Sequence, residues 1–177
     1  MACSRGGQFR YAVLVPSGPK NGLGRSIMEL LDAERLARSL MDSHGLGHVP
    51  LQWHRKTRVF GACQHKRANV YSPWECTAIM LSSGLVRHNS PEQVRNTILH
   101  EIAHAKAGPQ AGHGPLWKIQ AKAIGCDPSP TCGKGVTMIP GKYTASCPCS
   151  TSHEFYRLPT RGKICRNCKT RLEIKAR

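Results

Sequence analysis

Residues 96–105 hold the feature that most constrains this chain, two histidines one helical turn apart with a glutamate between them. Ser90, Pro91 and Gln93 precede this stretch and predict a helix start with a capping box and a proline at the first helical position. Apolar residues then recur at helical spacing, so the predicted helix has a buried face. The stretch is therefore expected to lie in the middle of an amphipathic helix.

On this helix His100 and His104 occupy positions i and i+4, so both imidazoles leave the same side. Two nitrogens on a rigid helix suit two ligands of a tetrahedral zinc site, and Glu101 can take a proton from zinc-activated water. The same spacing also occurs in helices whose two histidines are only solvated. His113 favours the zinc interpretation, because it follows a glycine-rich loop and precedes a second helix predicted to begin at Pro115. His113 is the expected third ligand.

Hydrophobic patterns predict further helices and strands. A capping box at 26–29 opens a helix that ends near Ser43, and the helix from Pro115 stops at Gly125. Short β-like runs predict three strands, at 51–53, 59–63 and 78–82. The residues expected to form the apolar faces of these two helices are Ile27, Leu30, Leu31, Ala37, Leu40, Met41, Leu116, Ile119, Ala123 and Ile124.

Two cysteine pairs near the C-terminus, Cys147 with Cys149 and Cys165 with Cys168, predict a structural zinc ribbon. In that arrangement two turns each supply two thiolates, with a β-hairpin between them. Because only one residue separates Cys147 from Cys149, His153 is a possible substitute for one of these cysteines. So small a module has almost no core, and zinc would supply most of its folding free energy.

The chain has nine cysteines and no pattern of a secretion signal, which favours metal ligands and free thiols over disulfides. Cys63 and Cys76 are expected as small buried side chains, and Cys126 and Cys132 as free thiols. No stretch approaches the roughly 20 apolar residues of a membrane span. The expected protein is a monomer in the cytoplasm or at the nucleoid, without membrane contact.

A net charge of +16, from 26 Lys and Arg against 10 Asp and Glu, favours a polyanionic partner such as nucleic acid. The alternative is that the charge only keeps the protein soluble. Residues 142–177 carry nine basic and two acidic residues, a net charge of +7. Cations at 55–58 suit a phosphate backbone, but they also suit protection of a sheet edge. The candidate nucleic-acid contacts are Arg55, Lys56, Arg58, Arg161, Lys163, Arg166, Lys169 and Arg171.

Several segments together make the chain resemble the SprT-like zinc metalloprotease family, which includes the DNA–protein crosslink protease Spartan. The order and spacing of these segments carry the resemblance over about residues 34–172. The segments are 51–53, Arg58, 61–63, 79–82, 96–105, 112–117 and the ending Cys-x-Cys, His, Cys-x-x-Cys. In bacterial-type members the ribbon also begins with Cys-x-Cys. The residues before Ser26 have no counterpart.

The resemblance implies an α+β fold, a small zincin-like metalloprotease domain whose helices pack on a short three-stranded sheet, followed by a small zinc-ribbon domain. The expected division is an N-terminal linker or extension at 1–25, the metalloprotease domain at 26–140, and the ribbon with a basic tail at 141–177. The implied cofactor is Zn²⁺, with one catalytic and one structural ion.

The resemblance also implies a zinc-dependent endopeptidase that acts on DNA-associated or DNA-crosslinked proteins. His100, His104 and His113 would bind the catalytic zinc, and Glu101 would be the general base and acid. The implied partners are a protein substrate and DNA, single-stranded or damaged. Two alternatives stay open: a catalytically inactive adaptor that binds nucleic acid through the ribbon, and a zinc hydrolase of a non-protein amide or ester.

Overall fold

The computed structural model describes residues 27–129 and 135–177. The helices in these ranges are α1 (Leu30–Ser43), α2 (Ser83–Val86), α3 (Pro91–Ala107) and α4 (Pro115–Ala123), with a 3₁₀ turn at Pro109–Ala111. The strands are β1 (Leu51–His54), β2 (Gly61–Lys66), β3 (Glu75–Ser82), β4 (Tyr143–Ser146), β5 (Ser152–Phe155) and β6 (Lys175–Ala176). Among the described helices, none has both the length and the apolar character to cross a membrane.

The first three strands form one sheet in the order β1-β3-β2. Strand β1 runs parallel to β3, with Leu51 opposite Ile79, and β2 runs antiparallel to it, with Gly61 opposite Leu81. The predicted mixed fold with helices and a three-stranded sheet is confirmed. Strand β2 begins at Gly61 and not at the predicted residue 59. The assignment to the zincin-like class stays a prediction.

Helix α3 begins where the sequence predicts. The Ser90 hydroxyl accepts a hydrogen bond from the backbone N–H of Gln93, and the Gln93 side chain accepts one from the backbone N–H of Ser90. Pro91 occupies the first turn, where its missing N–H costs nothing. The helix then buries Ile98 and Ile102 completely in the main core. Local capping and core packing therefore both stabilise the helix that the sequence predicts here.

Helix α1 begins later than predicted. Its N-cap is Glu29 in an extended conformation, without a side-chain hydrogen bond, and Ser26 lies outside the described residues. The buried face starts at Ala33 and Leu36, whereas Leu31 is 59% exposed. The predicted helix start at 26–29 is therefore wrong: Met28 is buried in the main core, but it precedes the helix, and its backbone N–H donates to the carbonyl of Asn89.

The predicted apolar face of α4 is wrong for Leu116, Ile119 and Ala123, whereas Ile124 packs against the main core as predicted. Leu116 and Ile119 are more than 60% exposed, whereas Trp117 and Ala121 are fully buried. Trp117 is the largest fully buried side chain in the described part of the chain. Burial of an indole removes a large apolar area from water. Burial of Trp117 therefore determines which face of α4 points into the core. Gly125, with φ of +75°, follows the helix as predicted.

A buried asparagine connects the segment after residue 134 to the main core. Asn89 is 1% exposed, and its amide donates hydrogen bonds to the carbonyls of Leu85 and Thr137. Its side-chain oxygen accepts one from the Thr137 N–H. Because these bonds satisfy a buried amide, they hold this connection in place close to the start of α3.

The C-terminal module is a second sheet in the order β5-β4-β6, with its own small apolar cluster. One cysteine pair lies in the turn between β4 and β5, and the other lies in a turn closed by a bridge between Ile164 and Arg171. Each pair thus occupies a hairpin turn, which corrects the prediction of one hairpin between the pairs. The boundary at residue 140 stays a prediction, although the two apolar clusters lie on either side of it.

Removal of the α3 cap tests the importance of this helix start. We expect Ser90→Ala to lower the free energy of unfolding by about 1 kcal/mol, because it leaves the N–H of Gln93 without its acceptor. Urea unfolding at a fixed zinc concentration measures the effect. Ser43→Ala is the control, since the Ser43 hydroxyl bonds only to a carbonyl of its own helix. Equal destabilisation by both variants would contradict the capping role.

Candidate metal centres

Three imidazoles converge at one point of the main domain. The Nε2 atom of His100 lies 3.0 Å from that of His113 and 3.2 Å from that of His104, and the third separation is 3.1 Å. We call His100, His104 and His113 the three-histidine site. Helix α3 supplies two of these side chains one turn apart. The third comes from the chain that returns over the end of α3.

Two glycines let the chain return. Gly108 caps α3 with φ of +79°, and Gly112 follows the 3₁₀ turn with φ of +48°. These left-handed backbone conformations are strained for residues with a Cβ atom. The return places His113 against the last turn of α3, just before Pro115 opens α4. The predicted third ligand therefore reaches the other two.

The three nitrogens fit a tetrahedral metal ion. Nitrogens held at the usual Zn–N distance are about 3.3 Å apart in a tetrahedron, close to the separations in the three-histidine site. Burial and the neighbouring imidazoles lower the pKa of His100 and of His104 to about 4. Both rings are neutral at neutral pH, which is the form that binds a metal. The site is thus compatible with zinc.

Trp117 packs against all three imidazoles. Its ring centroid lies 4.6 Å from that of His100, 4.7 Å from that of His113 and 5.4 Å from that of His104. The indole restricts the orientation of the rings, which a metal site requires. This role of Trp117 was not predicted from the sequence, although a tryptophan four residues after His113, at the start of a helix, is a signal that could have indicated it.

Glu101 lies beside the site in a nearly dry environment. Its side chain is 6% exposed, and burial raises its pKa to about 8. A Cβ atom at Gly61 would come within 2.6 Å of the Glu101 carboxylate and 2.7 Å of its Cγ. Only glycine therefore fits opposite this carboxyl group. Sequence reasoning placed Gly61 in a strand but gave it no role at the site.

An open cleft of about 390 Å³ lies in front of these groups. Strand β2 forms one wall from Gly61 to His65, and the turn from Pro109 to Gly112 contributes to another. Strand β2 is at an edge of the sheet and pairs only with β3 among the described strands. A free strand edge therefore borders the three-histidine site and Glu101.

A second cluster of ligand atoms lies in the C-terminal module. The sulfurs of Cys147, Cys149, Cys165 and Cys168 all lie within 4.8 Å of one another, and we call this cluster the four-cysteine site. Four sulfurs around a zinc ion are about 3.8 Å apart, so the cluster is compatible with zinc. His153 does not belong to it. The four cysteines form the cluster by themselves, and His153 does not replace any of them.

The structure places the eight candidate nucleic-acid contacts on the surface. All eight side chains are exposed, three of them in the loop after β1 and five around the second cysteine turn. The Arg58 guanidinium lies 5.9 Å from the centre of the Tyr156 ring. This contact joins the loop to the C-terminal module, so the two basic groups lie on neighbouring parts of the molecule.

Comparison with known proteins supports one family. The family model described as SprT-like family matches residues 31–137, which is more than half of the chain. This span contains the sheet, α3, α4 and the three-histidine site. The C-terminal module lies beyond the matched residues. No curated protein is significantly similar in sequence to this chain.

Replacement of single histidines tests the metal assignments. We expect His113→Ala to remove one equivalent of zinc from the purified protein, because two imidazoles alone hold the ion much less tightly. Elemental analysis after dialysis measures the stoichiometry. His153→Ala is the control and should keep the full zinc content. Loss of zinc in the control, or none in His113→Ala, would contradict this arrangement.

Proposed function

The chain belongs to the SprT-like family, and from that premise we propose that it is a zinc-dependent endopeptidase acting on proteins associated with or cross-linked to DNA. SprT-like proteins are in general metalloproteases, and the candidate metal-binding residues support a function of this kind. The observation that carries the proposal is the convergence of three imidazoles next to a buried carboxyl group.

The three-histidine site would supply three protein ligands to a zinc ion, the number typical of catalytic zinc sites, which keep a position for water or substrate. When bound, zinc supplies Lewis acidity that lowers the pKa of water and polarises the scissile carbonyl. His100 and His104 would hold it from α3, and His113 from the returning loop. Trp117 would keep the three rings in their orientation.

Glu101 would carry the proton during hydrolysis. In its ionised form the side chain would accept a proton from the attacking water and then donate it to the leaving amine. Burial alone keeps Glu101 mostly protonated at neutral pH, and the positive charge of a bound ion would favour its ionised form. A carboxyl group with a raised pKa is suited to both steps, because acceptance and donation are then close in free energy. Its contact with Gly61 limits the positions that the carboxyl group can adopt.

The free edge of β2 gives the substrate a binding mode. An extended peptide can pair with this edge through backbone hydrogen bonds, which do not depend on the peptide's side chains. Because the same strand borders the three-histidine site, such a peptide would lie across it. This mode supports cleavage of many different proteins at extended segments.

Exposed cations support the DNA part of the proposal. Within the described ranges the ion pairs are Asp32–Arg35 and Glu154–Arg177, so none of the eight candidate contacts is neutralised by an acidic side chain. When Lys and Arg side chains without an acidic partner bind phosphate groups, the DNA releases counterions, and this release favours the complex. They give affinity for the backbone and little base specificity.

Aromatic side chains in the loop between β2 and β3 support single-stranded DNA. Tyr71 is 95% exposed, and the Arg67 guanidinium lies 4.8 Å from the centre of the Trp74 ring. Exposed rings next to cations are typical of surfaces that stack unpaired bases. In duplex DNA the bases stack on one another, so their flat faces are not available to the rings of Tyr71 and Trp74.

Substitution of the proposed proton carrier tests the peptidase. We expect Glu101→Gln to slow cleavage of a basic protein by about 10²-fold or more with unchanged zinc content, because the amide accepts no proton. Gel assays with zinc-loaded protein, with and without single-stranded DNA, measure cleavage. Glu92→Gln on the same helix is the control and should keep full activity.

The outcomes of this assay separate the alternatives. Cleavage that requires both Glu101 and DNA supports the proposal. Cleavage that is indifferent to DNA would remove the DNA part. Absence of cleavage in a protein that binds both zinc and DNA would favour the inactive adaptor. Hydrolysis of small esters or amides alone would favour a non-protein substrate.

Salt dependence tests the basic surface. For single strands, loss of one phosphate contact makes the negative slope of log K against log salt concentration less steep by about 0.7. We therefore expect Lys163→Ala to make this slope less steep by about 0.7 for DNA of any sequence. Fluorescence anisotropy at several salt concentrations measures the affinity. Lys122→Ala on α4, outside the eight candidates, should leave the slope unchanged. Equal changes in both variants would contradict a localised surface.

A further inference from the structure

Two cysteines lie next to each other at the edge of the cleft. The sulfur of Cys63 on β2 is 3.2 Å from that of Cys76 on β3. Both side chains are half-buried, not fully buried as the sequence suggested, and neither belongs to a metal cluster among the described residues. Cys63 also borders the cleft in front of the three-histidine site. The proposed peptidase chemistry uses neither thiol.

The two sulfurs are close enough to form a bond after a small movement. A disulfide has its sulfurs about 2.05 Å apart, so a shift of roughly 1 Å is sufficient. The pairing of β2 with β3 changes register between Gln64 and His65, directly beside Cys63. An irregular pairing of this kind adjusts more easily than a regular ladder. The strands therefore need no large rearrangement.

The two thiols are chemically unequal. Either thiol can donate the hydrogen bond between the two sulfurs, and this bond raises the pKa of Cys63 and lowers the pKa of Cys76. Cys76 is therefore the thiol that becomes a thiolate more readily, and the thiolate is the reactive form of cysteine. Cys63 remains a protonated neighbour whose sulfur lies 3.2 Å away.

We propose that Cys63 and Cys76 form a redox modification site that reacts with hydroperoxides and closes to a disulfide. The Cys76 thiolate attacks one peroxide oxygen, the O–O bond breaks, and a sulfenic acid forms with release of water or an alcohol. The sulfur of Cys63 then attacks the Cys76 sulfur, loses its proton and displaces the sulfenic oxygen as water. Two electrons pass from the sulfurs to the peroxide, and a dithiol reverses the change.

Other thiols in the described part of the chain are less suited to this reaction. Burial raises the pKa of Cys126 to about 11, and its thiol donates hydrogen bonds to the backbone oxygens of Asn96 and Asp127 and has no thiol partner among the described residues. The four-cysteine site is compatible with a metal ion, which protects thiolates from oxidants when it is bound. The Cys63–Cys76 pair combines partial exposure with an adjacent partner.

Peptide mapping of the oxidised full-length protein tests the proposal. The zinc-loaded chain is treated with one equivalent of hydrogen peroxide, the remaining thiols are alkylated, and the protein is digested without reduction. We expect a peptide linked through Cys63 and Cys76, a mass loss of about 2 Da for the intact chain, unchanged zinc content and reversal by dithiothreitol. Zinc release before this link forms, or a link between other cysteines, would overturn the proposal.

Two variants assign the roles of the sulfurs. Cys63→Ser should leave a sulfenic acid on Cys76 that dimedone labels, and Cys76→Ser should slow oxidation at position 63 at least tenfold. Cys126→Ser is the control and should oxidise like the unaltered chain. Labelling of Cys63 in place of Cys76 would overturn the assigned order. Because mass and zinc content are measured, the result does not depend on the proposed peptidase activity.

Discussion

Helix α3 packs against α1, strands β2 and β3, and helix α4, and the candidate catalytic centre depends on this packing. Its contact with α4 brings Trp117 against the imidazoles, and its contact with β2 brings Gly61 against Glu101. A small rotation of the helix would break both contacts, since protein interiors are close-packed. The capping at Ser90 and the fully buried Ile98 and Ile102 fix that rotation.

The candidate site contains groups that are costly to bury. Glu101 is nearly dry, which raises its pKa, and the Trp117 indole N–H has no acceptor among the described residues. An unsatisfied buried polar group typically costs about 1–3 kcal/mol. Such costs are typical of functional sites, where the polar group serves chemistry rather than stability. The apolar core around α1 and the sheet offsets them.

The C-terminal module depends on a different constraint. Its buried cluster consists of Ala145, Cys147, Cys165 and Leu172, with two partly buried neighbours. Two of these four residues are candidate metal ligands, so the centre of the module is the four-cysteine site itself. A metal ion bound at this site would therefore stabilise the fold of the module directly. With so little core to cover, most side chains of the module face solvent, and its net positive charge lies on the surface.

The sequence by itself determined the features that depend on near neighbours: the capped start of α3, the one-turn spacing of His100 and His104, and the paired cysteines. Those interactions span a few residues, so local pattern encodes them. Only the tertiary structure decided which face α4 buries, why Gly61 has no side chain and that Cys63 meets Cys76. Each of these depends on contacts between segments distant in sequence, and the same local pattern permits several such contacts until the core selects one.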